Sequence, residues 1–236
     1  MFRVVFWFIR VRSGLRSLGD FMEKTIESVG RRSVTIAPPN FEVATFRIVG
    51  TAPLVIHRFS VKTKLQMKQR METGAAKMMK NRGPSDTDEL FNSSRYVSVD
   101  GWDGFNASAI RKAMISACRL VNYKMTLAKL SIFVEPDGWD ALEPQIPLVR
   151  IFGVAVKQED RARVSTGEPY VCVRAAYHSW YSDVRIRWDA DQFTRADVAN
   201  LLYRAGMQVG LCEGRPDSKD SAGMGWGTFY IAGDAK

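Results

Sequence analysis

A chain of 236 residues with 46% hydrophobic side chains can bury a sizeable core, which excludes a disordered or low-complexity protein. The net charge of +9 favours a polyanionic partner, nucleic acid ahead of an anionic membrane. Three well-separated cysteines (Cys118, Cys172, Cys212) and only two histidines exclude a disulfide framework and a zinc site, so no metal, no cofactor and a reducing compartment are expected.

Residues 1–40 read as an N-terminal arm, either flexible or exchanged between copies. Its apolar run, Val4 to Ile9, is shorter than the roughly 20 residues of a membrane span, and no small-residue cleavage site follows. Residues 1–21, with Arg3, Arg10, Arg12 and Arg16 against Asp20, look appended to the core. Beyond Pro38-Pro39, residues 41–236 read as one domain. Ala44 to Val49 alternates as a strand. Ser60 is placed to cap a helix that Gly74 interrupts, within a basic insertion at about 60–98. Residues 81–98 are polar and breaker-rich, which predicts a mobile segment.

Asn106 opens a helix over Ala107 to Val121, whose stripe Ile110, Ala113, Met114, Ala117, Cys118 and Val121 should face the core. Leu130 to Glu135, Pro147 to Val156, Tyr170 to Ala176 and Val184 to Trp188 read as strands. Thr194 with Asp197 three residues on starts the last helix, faced by Val198, Leu201, Leu202 and Ala205. A loop with five glycines, Gly210 to Gly227, then precedes a strand over Thr228 to Ile231. Without its insertions this order is βαββαβ, an α+β, ferredoxin-like (RRM-like) core with one sheet face covered by helices.

The segments TAPLVIHRFS, FNASAIRKAMISACRL and GLCEGRPDSKDSAGMGWGTFYI together resemble the RAMP superfamily, ferredoxin-like RNA-binding proteins of CRISPR effector complexes, and its backbone subunits in particular. The pattern GMQVG…EGRPDSK…GMGWG is also similar to that of a phage protein family. The first resemblance implies RNA or single-stranded DNA across the open sheet face, and a chain that oligomerises along the strand or joins a ribonucleoprotein. The setting it implies is the bacterial cytosol or a phage-infected host, with no membrane. It also maps Arg111, Lys112 and Arg119 onto the family's arginine-bearing helix, and Arg215 and Lys219 onto its phosphate-approaching loop.

The residues themselves supply further candidates. Glycine permits close backbone approach, so Gly223 and Gly225 with Trp226 are candidate ligand contacts in the loop. Eight bases from Arg58 to Arg82, including Lys62, Lys64, Lys68, Arg70, Lys77 and Lys80, face one acid, Glu72, a bias unlike that of a mixed solvated helix face. Arg185 and Arg187 alternate with Val184, Ile186 and Trp188, behind Tyr177, Trp180 and Tyr181, and aromatics beside arginines suit base stacking. Trp188 fits the core better.

A non-catalytic nucleic-acid-binding protein is the expected function. The alternatives are a RAMP-type endoribonuclease using His57, a phage single-strand annealing protein, and a virion or assembly protein. If RNA is cut through a loop acid instead, Asp86, Asp88 and Asp103 are available. No phosphate-binding GxxxxGK loop or GxSxG elbow is present.

Overall fold

The computed structural model describes residues 36–74, 86–163, 169–218 and 223–233. The arm up to residue 35 lies outside the described residues, as do Lys77, Lys80, Arg82 and Lys219. From Pro39 onward the chain forms one compact unit of mixed α and β structure.

The central sheet is built from β1 (Phe41–Gly50), β5 (Ile132–Glu135), β11 (Trp180–Asp189) and β12 (Phe229–Ile231). Their spatial order is β12-β1-β11-β5, and every neighbouring pair is antiparallel. A two-residue strand, β8 (Phe152–Gly153), pairs with the start of β11. Side chains alternate along a strand, and β11 shows the consequence. Val184, Ile186 and Trp188 are buried, while Tyr181, Arg185 and Arg187 point the other way.

Two helices supply the apolar cover for the buried face. The first, α3 (Ser108–Ala117), is entered through Asn106, whose Oδ1 accepts from Ser108 N at 2.9 Å. Its Ile110, Met114 and Ala117 are fully buried, as the periodicity predicts. The stripe ends earlier than expected. Residues Cys118–Val121 tighten into a 3-10 turn that leaves Val121 44% exposed. The second, α5 (Arg195–Arg204), begins with the predicted capping box, Asp197 N donating to Thr194 Oγ1 at 3.2 Å. Its Val198, Leu201 and Leu202 join the same core, and a π-helical turn, Ala205–Val209, continues it.

Two smaller sheets flank this layer. One has the order β2-β10-β9, from Leu54–Ile56, Pro169–Tyr177 and Val156–Arg163. The other has the order β3-β4-β7-β6, from Tyr96–Val97, Asp103–Asn106, Pro147–Arg150 and Gly138–Trp139.

Four readings need correction. Within the segment predicted to be mobile, Thr87–Ser94 forms α2, capped by Asp86 and packed on β10. Met125–Ser131 is a helix, α4, so the strand expected from Leu130 starts at Ile132. The single strand expected over Pro147–Val156 is divided at Ile151, which is buried. The polar run VKQEDRAR is β9, a strand its composition conceals and an eight-pair register with β10 specifies. The helix α1 (Val61–Thr73) is as expected, from its Ser60 cap to a left-handed Gly74.

Candidate nucleic-acid interface on the open sheet face

The face of the central sheet opposite α3 and α5 is open. Val43 is 50% exposed, and Phe41, Tyr181 and Tyr230 also reach solvent. Register explains which side chains meet there. Val43 lies opposite Arg187, Thr45 opposite Arg185, Arg47 opposite Asp183, and β5 brings Phe133 beside Arg187 and Glu135 beside Arg185.

Two groups of rings and guanidiniums result. In the first, the Arg187 guanidinium lies 5.0 Å from the Phe41 ring centre and 5.2 Å from that of Phe133, and the two rings meet edge-on at 5.9 Å. In the second, Phe152 stacks on Tyr181 at 4.6 Å with an interplanar angle of 4°. Arg47 covers the Tyr181 ring at 5.1 Å, and Arg150 covers Phe152 at 4.8 Å and Trp102 at 6.0 Å. Six residues of β11, about 20 Å, separate Tyr181 from Arg187.

The arginines of this face divide by partner. Arg47 is neutralised by Asp183 through two 2.8 Å hydrogen bonds, which hold the Asp183 carboxyl below the usual range. Arg185 pairs with Glu135 at 2.7 Å. Arg150 and Arg187 have no carboxylate partner among the described residues, and the Arg187 Nε is buried without a hydrogen-bond acceptor. These two cations are held by aromatic faces alone, an arrangement that leaves their charge available to a phosphate.

Several sequence candidates serve the fold. Arg111 donates to the Ile132 carbonyl at 2.8 Å and to that of Lys129, fastening α3 to the junction of α4 and β5, and its guanidinium lies 5.2 Å from the Phe133 ring centre. Arg119 pairs with Asp217 at 2.7 Å, and Arg215 donates to the Cys212 carbonyl at 2.9 Å. Lys112 is exposed. On α1, Lys62 and Arg70 are exposed, Lys64 pairs with Glu143, and Lys68 lies 3.9 Å from Glu72. Arg58, counted with this basic run, is instead buried against Asp140 and Glu143. Tyr177 and Trp180 are also buried, the Trp180 indole donating to the Ala52 carbonyl at 2.9 Å.

The glycine-rich loop is tied down by its own backbone and by the chain around β2. Gly227 N donates to the Pro53 carbonyl at 2.8 Å, Leu211 N to Gly227 O at 3.0 Å, and Glu213 N to Val55 O at 3.1 Å. A Cβ on Gly223 would fall 2.1 Å from the Arg215 carbonyl oxygen, and one on Gly214 would fall 2.4 Å from the Trp226 indole. The close approach that glycine permits is therefore spent largely inside the protein. Gly225, with nothing among the described residues within 4 Å of an added Cβ, is the open one of the five.

His57 reaches solvent between Ile56 and buried Arg58, and partial desolvation with nearby Arg174 holds its imidazole below the usual range. Asp86 caps α2, Asp88 pairs with Lys157 at 2.6 Å, and Asp103 accepts from Arg95. The three acids considered for strand cleavage are thus engaged in structure. Among the described residues no group of three or more His, Cys, Asp or Glu side chains is placed to hold a metal ion, and no helix is long and apolar enough to cross a membrane.

Sequence reasoning missed Phe41, Phe133, Phe152, Arg47 and Arg150. Each looks ordinary in one dimension: register within the central sheet brings Phe41, Phe133, Phe152 and Arg47 to one face, and β7 of a flanking sheet carries Arg150 to the Phe152 ring. No family model and no curated protein matches the sequence.

Proposed function

We propose that the protein binds single-stranded nucleic acid, RNA or DNA, along the open face of a ferredoxin-like core. The spatial order of last, first, third and second core strands, with α3 and α5 on one face, supports that fold assignment. The observation that carries the function is the pair of aromatic-bracketed arginines, Arg187 and Arg150, that have no carboxylate partner among the described residues on an exposed face. Exposed rings offer stacking to any base, and the two free guanidiniums offer the phosphate contacts that set register along the strand. Polymerisation of copies along one strand rests on the resemblance of the sequence to RAMP backbone subunits.

Fluorescence anisotropy with labelled 12-nucleotide uridine and thymidine oligomers tests this. Binding is expected to weaken steeply with salt. Arg187→Gln and Arg150→Gln should each lower affinity about tenfold and reduce the slope of log K against log salt by about 0.7. Phe41→Ala should weaken binding with the slope unchanged, because stacking carries no counterion. Oligomers recovered intact identify a binder; cleavage that His57→Ala abolishes identifies the nuclease alternative. Absence of binding at low salt, or variants that bind like the parent, refutes the reading.

A further inference from the structure

The second ring–arginine group borders a cleft of about 300 Å³ lined by Trp102, Asp137, Arg150, Phe152 and Asp183. This is at the small end of ligand pockets. Its wall is preset. The Trp102 indole lies against Gly104 and Gly138, where an added Cβ would come within 3.0 Å and 2.8 Å of ring atoms, so β4 and β6, the strands on either side of β7, form a shelf for it. Phe152 is fixed by its parallel stack on Tyr181. Between the two rings lies the planar, exposed Arg150 guanidinium.

The polar groups make the cleft selective. Asp183 has both oxygens engaged by Arg47. Asp137 accepts from the Arg150 backbone N at 2.9 Å through Oδ2, and among the described residues no hydrogen bond engages its Oδ1. The site therefore offers one cation and one carboxylate with spare acceptor capacity between aromatic planes. The two carboxylates that line the wall with Arg150 favour, within the cleft, a group that donates as well as accepts, whereas a phosphate would meet Arg150 alone. A flat group with two adjacent donors and a neighbouring acceptor fits. Among the bases, guanine alone has that edge: N1–H and the 2-amino group beside each other, with O6 and N7 as acceptors for an arginine.

We infer that this cleft is a guanine-reading subsite at one end of the single strand's path, with Asp137 accepting from N1–H and the 2-amino group and Arg150 donating to O6 or to the adjoining phosphate. The inference rests on the nucleic-acid reading and adds to it a base preference at one position.

The test uses the full chain and three labelled 12-nucleotide RNAs: all uridine, uridine with one central guanosine, and the same with inosine, which lacks the 2-amino group. The guanosine oligomer is expected to bind about tenfold tighter than all-uridine RNA, within the range for a two-bond base contact, and inosine should forfeit most of that gain. Asp137→Asn, which keeps an acceptor for the Arg150 backbone N, should erase the preference, so that the guanosine and all-uridine oligomers bind the variant equally. Salt-sensitive binding of all three RNAs with equal affinity overturns the subsite and leaves the general reading standing. A guanosine preference that survives Asp137→Asn also overturns it. If no oligomer binds, the nucleic-acid reading fails and the subsite with it.

Discussion

Breaking the buried ion pair Arg58–Asp140 from one side is expected to cost about 3–5 kcal/mol, and removing both partners far less. Their side chains are 3% and 0% exposed, joined by an NH1–Oδ1 bond of 3.1 Å and a second bond from NH2 to Oδ2. Glu143 N also donates to Asp140 at 2.9 Å, and the guanidinium lies 5.2 Å from the Tyr96 ring centre. The Arg58 Nε, however, is buried with no acceptor, so desolvation is incompletely repaid. Arg58→Met leaves a fully buried carboxylate with one backbone donor, and Asp140→Leu leaves a buried guanidinium with Glu143 alone. In urea, at an m-value of about 3 kcal/mol/M, either single variant should lower the midpoint by about 1–1.7 M. The double variant should recover most of that, giving a coupling energy of at least about 2 kcal/mol. Tryptophan fluorescence across a urea series on the full chain measures all four proteins. Single variants that cost less than about 1 kcal/mol, or a double variant equal to the sum of the singles, would refute the claim that these charges are dry and interdependent.

Gly227→Ala should cost about 2–4 kcal/mol, because its φ is +68° and the new Cβ would lie 2.1 Å from the Leu211 carbonyl oxygen. Gly225→Ala, at φ +75° with open space, should cost only about 1–2 kcal/mol; equal melting temperatures for the two would mean that the loop is loose. On acidification, stability should fall in two steps. His57, held below its usual value by partial desolvation and Arg174, is favoured neutral in the folded state, so stability falls as pH drops below about 6.5, and His57→Gln should flatten that step. Glu143, Asp183 and Asp217 are held low by hydrogen bonds from Lys64, Arg47 and Ser116 respectively, so the stability they contribute is full above about pH 4.3 and lost below it. A thermal-melt series from pH 8 to pH 3 checks both, and a flat profile between pH 7 and pH 5 in the parent protein would contradict the histidine step.

The parts of this molecule that could be read from sequence are those whose causes are local. The Thr194–Asp197 box, the Ser60 cap and the 3.6-residue apolar spacing of α3 each act within one turn of chain, and each is present. The strand β9 was illegible because its eight residues hold mostly polar side chains, and its pairing with β10 is specified by a partner beyond residue 168. Likewise α4 hides inside MTLAKLS, where only Ala128 and Ser131 are buried and neither is a strong apolar signal.

The candidate site divides along the same line, and the division changes what its residues mean. Basic residues singled out from the sequence were a mixed set: Arg58, Arg111, Arg119 and Arg215 spend their donors on buried or local acceptors, whereas Arg187, like the unsuspected Arg150, meets no carboxylate among the described residues. An arginine that closes a carbonyl or meets a carboxylate must break that contact to hold a phosphate, and so loses in desolvation and strain much of what it gains. One bracketed by rings keeps those rings while it binds. Availability of charge, set by how strands and sheets pack, thus separates the arginines proposed to bind from the structural ones, which net charge along the chain cannot do.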